Sequence, residues 1–272
     1  MYIGEKYNAL SVVVSPLKAL MVDQVRQLKE DKGYNKVAYI NSDITLIQRE
    51  EVLADIGAGK IDMVYLAPEL LLSYDITYFL NGRCLGLYIV DEAHTVSTWG
   101  RDFRIDYWYL GYHINRVRKY ALDSKGNRLK FPVIAVTATA PYGNIHDVAF
   151  ETMSSLQMNA PIKYIGYAKR DDITFNINHV EIQGNLQTQK INLAVKRIQD
   201  FENNAEKTII YCPFTTQVNA LVTQARKENL NIYPYHGSMN VDEQKESYTA
   251  FTEQSPITMA ATKAFGMGVD IN

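Results

Sequence analysis

Two adjacent acids, Asp91 and Glu92, stand directly behind the apolar run Leu87–Val90, and Ala93-His94 follow them. Paired carboxylates at a strand end suit phosphate chemistry with magnesium. The first can hold a hydrated Mg²⁺, a hard ion that prefers oxygen ligands and keeps most of its waters. The second can orient or deprotonate an attacking water. The same letters could merely open a helix, whose N-terminus favours acids, so the neighbouring residues must decide.

Ser97–Tyr107 reads STWGRDFRIDY. Trp99 and Phe103 offer flat faces on which bases stack, worth about 1–3 kcal/mol per base. Arg101 and Arg104 can meet phosphates or the acidic pair. The plainer alternative packs both rings into a core. DEAH followed by Trp-Gly-x-Asp-Phe-Arg resembles the aromatic-rich loop of RecQ-like helicases, ATP-dependent DNA helicases of superfamily 2. The resemblance implies that Asp91 organises Mg²⁺, Glu92 activates water and His94 couples domains. It implies that Trp99, Phe103 and Arg104 sense single-stranded DNA.

Further segments resemble that family in order. Ser15-Pro16-Leu17 with Gln24 resembles motif Ia, which touches the DNA backbone, and Ala67-Pro68-Glu69 resembles motif Ib. Thr137-Ala138-Thr139 resembles motif III, whose hydroxyls link nucleotide state to DNA grip. Tyr211-Cys212 resembles motif IV, and Tyr235-His236-Gly237 the segment behind it. Ala264–Asp270, with Gly266 and Gly268, resembles motif V, which faces DNA and nucleotide from the second domain. Singly, each has a plain structural reading: Ser15-Pro16 a strand stop, Thr137-Ala138-Thr139 a helix cap, the two glycines a turn, and His236 a bonded loop histidine. The ordered set carries the resemblance, which runs from Ser11 to Asp270. It implies ATP and Mg²⁺ as cofactors, single-stranded and duplex DNA as partners, and 3′ to 5′ movement.

Two family parts are missing. No glycine-rich loop ending in Lys-Ser or Lys-Thr, which would cradle phosphates through backbone N–H groups, occurs in the 272 residues. Gly59-Lys60 is followed by Ile61, with Ala54 where the first glycine belongs, and is rejected. Nor does an arginine-bearing motif VI follow Asp270. The expectation is a motor core unable to hydrolyse ATP by itself, with the P-loop segment carried upstream or by a separate chain. A strand missing from the sheet interior would leave a slot of unpaired backbone and exposed apolar surface. Two alternatives stand beside the helicase: a non-catalytic nucleic-acid-binding module from a split or degenerate gene, and an RNA helicase of the same fold.

These residues need a scaffold that sets strand ends side by side. Short β-branched runs occur at Ser11–Ser15, Lys36–Ile40, Ile61–Leu66, Leu85–Val90 and Pro132–Val136, then at Ile173–Val180, Thr208–Cys212, Asn231–Tyr235 and Pro256–Ala261. Several are apolar on both faces, as in parallel sheets covered by helices. Helical periodicity marks Leu17–Glu30, Thr45–Ile56, Gln187–Phe201 and Thr215–Glu228. The alternation predicts a doubly wound α/β sheet. The resemblance implies an α/β fold with two RecA-like doubly wound parallel-sheet domains, the first without its P-loop strand and the second cut short. Domains are expected at 1–168 and 174–272, joined by a polar linker at 169–173. In such sheets ligands bind beyond the carboxyl ends of the strands.

Composition narrows the rest. Net charge is −2, so no global basic field advertises nucleic acid. The basic cluster Arg116, Arg118, Lys119, Lys125, Arg128 and Lys130 reads as a solvated helix end and turn rather than a phosphate track. Two cysteines, Cys84 and Cys212, exclude a disulfide framework and fit a reducing cytoplasm; both are expected to be buried thiols. No run approaches the roughly 18 apolar residues of a membrane span.

Overall fold

The computed structural model describes residues 2–97, 105–123, 125–140, 143, 147–166, 172–181, 184–204 and 206–265. The chain divides into two compact units, Met1–Ile165 and Gly166–Asn272. Most of the expected linker at 169–173 lies outside the described residues.

The first unit is a five-stranded sheet in the order β2-β3-β1-β4-β5. Its strands are β1 (Ala9–Val14), β2 (Val37–Ile40), β3 (Met63–Leu66), β4 (Cys84–Val90) and β5 (Val133–Ala135). All neighbours pair in parallel, so every carboxyl end reaches the same edge. β1, in the middle, is buried along its whole length, which is why SVVVS shows no polar alternation. Leu10, Val12 and Val14 face one layer, with Leu53 and Ile56 of α3 (Leu46–Gly57), Phe79 of α5 (Ile76–Leu80) and Ile114 of α7 (Leu110–Tyr120). Val13 faces the other, with Met21 and Val25 of α2 (Lys18–Glu30). Between them, α1 (Tyr2–Tyr7), α4 (Pro68–Ser73), α6 (Ile105–Trp108) and α8 (Val148–Ser155) complete the unit.

Local chemistry sets the helix limits. Thr45 and Gln48 form a reciprocal capping box that opens α3. Pro68 sits in the first turn of α4, where its missing N–H does no harm. Asp75 caps α5, and Asn81 closes it in the left-handed region.

The second unit carries a parallel sheet in the order β6-β8-β7, with β6 (Lys207–Tyr211), β7 (Ile232–Tyr235) and β8 (Ile257–Ala261). Val195 and Ile198 of α9 (Leu186–Asn203) and Val218 and Leu221 of α10 (Thr215–Lys227) cover one face. Phe251 of α11 (Val241–Glu253) and Phe265 cover the other.

Three expectations need correction. There is no slot inside the first sheet, because its five strands are consecutive neighbours. Exposed apolar residues do occur at the open edge, where Ile134 of β5 and Val136 behind it are solvent-accessible. Ile173–Val180 forms no strand: no described element pairs with it, and Phe175 and Ile177 are exposed. The cysteines are not buried cores. Cys84 opens β4 at the amino edge and is exposed, and Cys212, just past edge strand β6, is half-buried.

Candidate nucleotide and nucleic-acid site at the carboxyl edge

Parallel strands place Ser15 after β1, Ala67-Pro68 after β3, Asp91 after β4 and Thr137 beyond β5 on one edge. Asp91 N–H donates to Val14 O (2.9 Å), and Ala93 N–H to Val136 O (2.9 Å). The turn behind β4 is thus tied to both neighbouring strands. Glu92, between those two bonds, holds φ 46° and ψ 45°. A non-glycine residue in the left-handed region is strained, and such strain concentrates at functional sites. Thr95 Oγ closes on Glu92 O (2.8 Å) and Ser97 Oγ on His94 O (2.7 Å).

The Asp91 carboxylate is fixed from three directions. Oδ1 accepts the Glu92 N–H at 2.9 Å. Oδ2 accepts the Ser15 hydroxyl at 3.4 Å and the Gln24 amide at 3.3 Å. Ser15 is fully buried and Gln24 half-buried, so this carboxylate has little freedom. Its charge is felt nearby: burial first, and Asp91 second, push the Tyr65 hydroxyl above the ordinary tyrosine range.

A second cluster surrounds His94. Its Nδ1 lies 3.2 Å from Glu92 Oε2, 2.8 Å from Thr137 Oγ1 and 3.3 Å from Thr139 Oγ1. One ring nitrogen cannot serve three partners at once. With a proton it donates to Glu92 or to a threonine oxygen; without one it accepts from a threonine hydroxyl and makes no hydrogen bond to Glu92. The cluster is therefore a choice between bonding arrangements, and it links the strand-end acid to the segment after β5.

The structure brings Ser15, Gln24 and Asp91 together, and separately Glu92, His94, Thr137 and Thr139. Pro16 is buried beside Ser15. Trp99, Arg101, Phe103, Arg104, Gly266, Gly268 and Asp270 lie outside the described residues. In the second unit His236 is buried behind β7, its Nε2 3.2 Å from Asn219 Oδ1 and its Nδ1 without a hydrogen-bond partner among the described residues. Ala264 is exposed, and its N–H reaches Thr262 Oγ1 at 3.4 Å. Gly59-Lys60 precedes β3 at the opposite, amino edge, with Lys60 paired to Asp55 at 2.8 Å.

Two residues escaped the sequence reading. Tyr107 is fully buried, and its hydroxyl stands 3.2 Å from both Val14 O and Asp91 O. It pins the ends of β1 and β4 from within the aromatic-rich stretch, which was its only signal. Asn41, the first residue beyond β2, is fully buried, with Oδ1 accepting the Asp43 N–H at 2.9 Å. A polar residue just past an apolar run could have marked it.

Among the described residues no three His, Cys, Asp or Glu side chains stand together as a metal cluster. The donor set, one oriented carboxylate with a hydroxyl beside it, fits a Mg²⁺ that keeps its waters and shares ligands with a nucleotide's phosphates. A pocket of about 600 Å³ in the second unit, beside Tyr211 and Cys212, has no acidic residue in its lining.

A twin-unit α/β chain with paired acids and a histidine–threonine contact at the strand ends defines a helicase-type motor fold. The chain belongs to the DEAD/DEAH box helicase family, whose domain matches residues 4–148, and the helicase conserved C-terminal domain matches residues 168–272. Its relatives include the probable ATP-dependent DNA helicase RecS of Bacillus subtilis, 30% identical over 268 residues, covering 98% of this chain and 49% of that protein. The ATP-dependent DNA helicase RecQ of Pasteurella multocida is 26% identical over 264 residues, covering 97% of this chain and 38% of that one. The fold is similar to that of Mycobacterium smegmatis helicase Lhr bound to ssDNA and AMP-PNP, with a TM-score of 0.65, 18% identity, and coverage of 97% of this chain and 35% of that one. The chain thus spans less than half the length of these relatives. No described helix is long and apolar enough to cross a membrane.

Proposed function

We propose that this chain is the motor core of an ATP-dependent DNA helicase, which couples ATP hydrolysis to movement along single-stranded DNA and to duplex unwinding. The observation that carries the reading is the His94 cluster, because it joins the strand-end acid to Thr137 and Thr139. Bound ATP would supply the phosphoryl group, and Mg²⁺ would supply positive charge to offset that of the phosphates. Asp91, held by Ser15, Gln24 and the Glu92 N–H, would orient the ion's water shell. Glu92 would align the attacking water and take its proton. His94 would then exchange its bond to Glu92 for one to Thr137 or Thr139, reporting nucleotide state to the segment behind β5. Trp99, Phe103 and Arg104 would sense the strand, and movement would run 3′ to 5′, as in the RecQ-like proteins this chain resembles.

The same reading holds that the 272-residue chain does not hydrolyse ATP unaided, since no phosphate-cradling loop occurs in it. Phosphate release with and without oligo(dT) tests this: none is expected, and DNA-stimulated turnover lost in Glu92→Gln would overturn it. A second reading is a non-catalytic nucleic-acid-binding module. The codons upstream of Met1 separate the two. An in-frame Gly-x-Gly-Lys-Ser/Thr stretch supports the motor, and its absence from the gene and its neighbours supports the module. Competition between single-stranded DNA and RNA for the chain checks the choice of nucleic acid.

A further inference from the structure

The helix α7 presents two kinds of residue outward along one line. Tyr109, just before it, and Tyr112, Arg116, Lys119 and Tyr120 recur at the three- and four-residue spacing of a single helix face. The apolar residues Leu110, Ile114 and Val117 take the opposite, core-facing side. Large aromatics on a solvated helix face are unusual. Tyr109 is 48% exposed, and Tyr112 and Tyr120 are each 66% exposed. At 1.5 Å per residue the line is about 16 Å long.

Beside the line lies a pocket of about 260 Å³, lined by Leu72 of α4, Tyr109, Tyr112, His113 and Arg116. His113 is buried, and its Nδ1 is already engaged by the Tyr88 hydroxyl at 3.2 Å, which leaves Nε2 for the pocket. Among the described residues no ion pair or hydrogen bond holds the Arg116 guanidinium. Beyond the helix, Lys125, Arg128 and Lys130 extend the positive charge. Two nearby acids are engaged locally, and Arg116 and His113 also act on the Asp75 charge. Asp75 accepts from Thr77 N–H and Oγ1 (2.9 and 2.6 Å), and Asp123 from the Lys125 and Asn127 N–H groups (2.9 and 2.8 Å). The face also begins at the carboxyl edge, because Tyr107, two residues before Tyr109, bonds Asp91 O.

We propose that this outer face of α7, with its pocket, is a second binding site for single-stranded DNA, running from the carboxyl edge along the flank of the first unit. Tyr109 and Tyr112 stack bases, one of which enters the pocket against His113. Arg116 and Lys119 meet the phosphates. Exposed rings alternating with solvent-exposed cations, with Lys119 lying over the Tyr120 ring at 5.1 Å, are what a sequence-tolerant single-strand track requires. A protein surface would instead call for a drier apolar centre. The inference rests on the reading that the chain works on DNA.

Anisotropy of fluorescein-labelled oligo(dT) with the 272-residue chain tests it, together with a salt titration. Tyr109→Ala and Tyr112→Ala are each expected to weaken binding by roughly 5- to 100-fold. Arg116→Ala should flatten the slope of log affinity against log salt by about 0.7, and Arg116→Lys should restore it. In the unaltered chain, 4-thiothymidine cross-links should map to Tyr109 or Tyr112, a readout independent of variant folding. Wild-type affinity and slope in all these variants, with cross-links confined to other segments, would overturn the second site and leave the motor reading intact. Tyr112→Ala that spares DNA but abolishes self-association in sedimentation would assign the face to protein and also overturn it. A chain that binds no oligo(dT) at all would overturn both.

Discussion

Replacing Asp62 by Asn should destabilise the first unit far more than a surface substitution does. Asp62 and Arg83 form a buried ion pair at the amino edge of the sheet, 2.8 Å apart, with side chains 4% and 3% exposed. Arg83 also donates to the carbonyls of Ile61, Ala9 (3.2 Å) and Asn8 (3.4 Å), so one guanidinium ties the starts of β1, β3 and β4. Gly4 of α1 packs so closely that a Cβ there would come within 2.4 Å of the Asp62 side chain. Removing one partner of a buried pair leaves an uncompensated charge and costs about 3–5 kcal/mol. Asparagine keeps an oxygen for Arg83, which puts Asp62→Asn near the lower end, about 3 kcal/mol. Arg83→Met strands Asp62 with only the half-exposed Lys36 at 3.5 Å and strips three carbonyls of their donor, which puts it near the upper end. For a unit of this size each kcal/mol shifts Tm by about 2–4 °C, so Asp62→Asn should lower Tm by roughly 6–12 °C. Urea unfolding followed by circular dichroism, with calorimetry, reads both. Stability of Asp62→Asn within about 1 kcal/mol of the parent would refute the view that this pair locks the strand starts.

Further outcomes follow from the same contacts. Burial first, and Arg116 second, lower the His113 pKa to about 4. The unfolded chain therefore takes up this proton first, and stability present above pH 6.5 is lost as pH falls towards 4. Between pH 6.5 and 5 the wild type should lose about 2 kcal/mol more than His113→Leu in urea titrations, and equal slopes would contradict this. Tyr107→Phe should cost about 0.5–1.5 kcal/mol, the usual net value of one hydrogen bond; a neutral result would show that the Asp91 carbonyl does not need it. Iodoacetamide mapped by peptide mass should label exposed Cys84 before Cys212, whose thiol is pushed up by burial; the reverse order would contradict the fold there.

Much of the scaffold was legible because burial on both faces leaves an unbroken β-branched signature. SVVVS and LYIV declare β1 and β4, and Thr45 with Gln48 declares the start of α3. Ile173–Val180 shows the limit of that logic. Its alternation has strand character, but a strand needs a pairing partner, and that lies in tertiary structure rather than in the segment. Cys84 misled because an apolar strand can begin at an exposed edge. In the candidate site, the strand-end positions of His94, Thr137 and Thr139 were legible in the sequence, but the contact between them was not. Nor was the bond from Gln24 to Asp91, because it joins a helix face to a strand end 67 residues away. Tyr107 looked like one more aromatic among several, and only its buried hydroxyl distinguishes it. The basic cluster around Arg116 is solvent-exposed, as its sequence suggests, whereas the tyrosines that share its helix face become visible only once the helix is placed.

The most direct test is phosphate release, with and without oligo(dT), from the protein supplied with a Gly-x-Gly-Lys-Ser/Thr segment ahead of Ser11. The expected result is DNA-stimulated turnover that Glu92→Gln lowers by about 10²–10⁴-fold, with Thr137→Val losing the DNA response while some basal turnover remains. Turnover that survives Glu92→Gln unchanged would contradict the assignment of the paired acids at the end of β4.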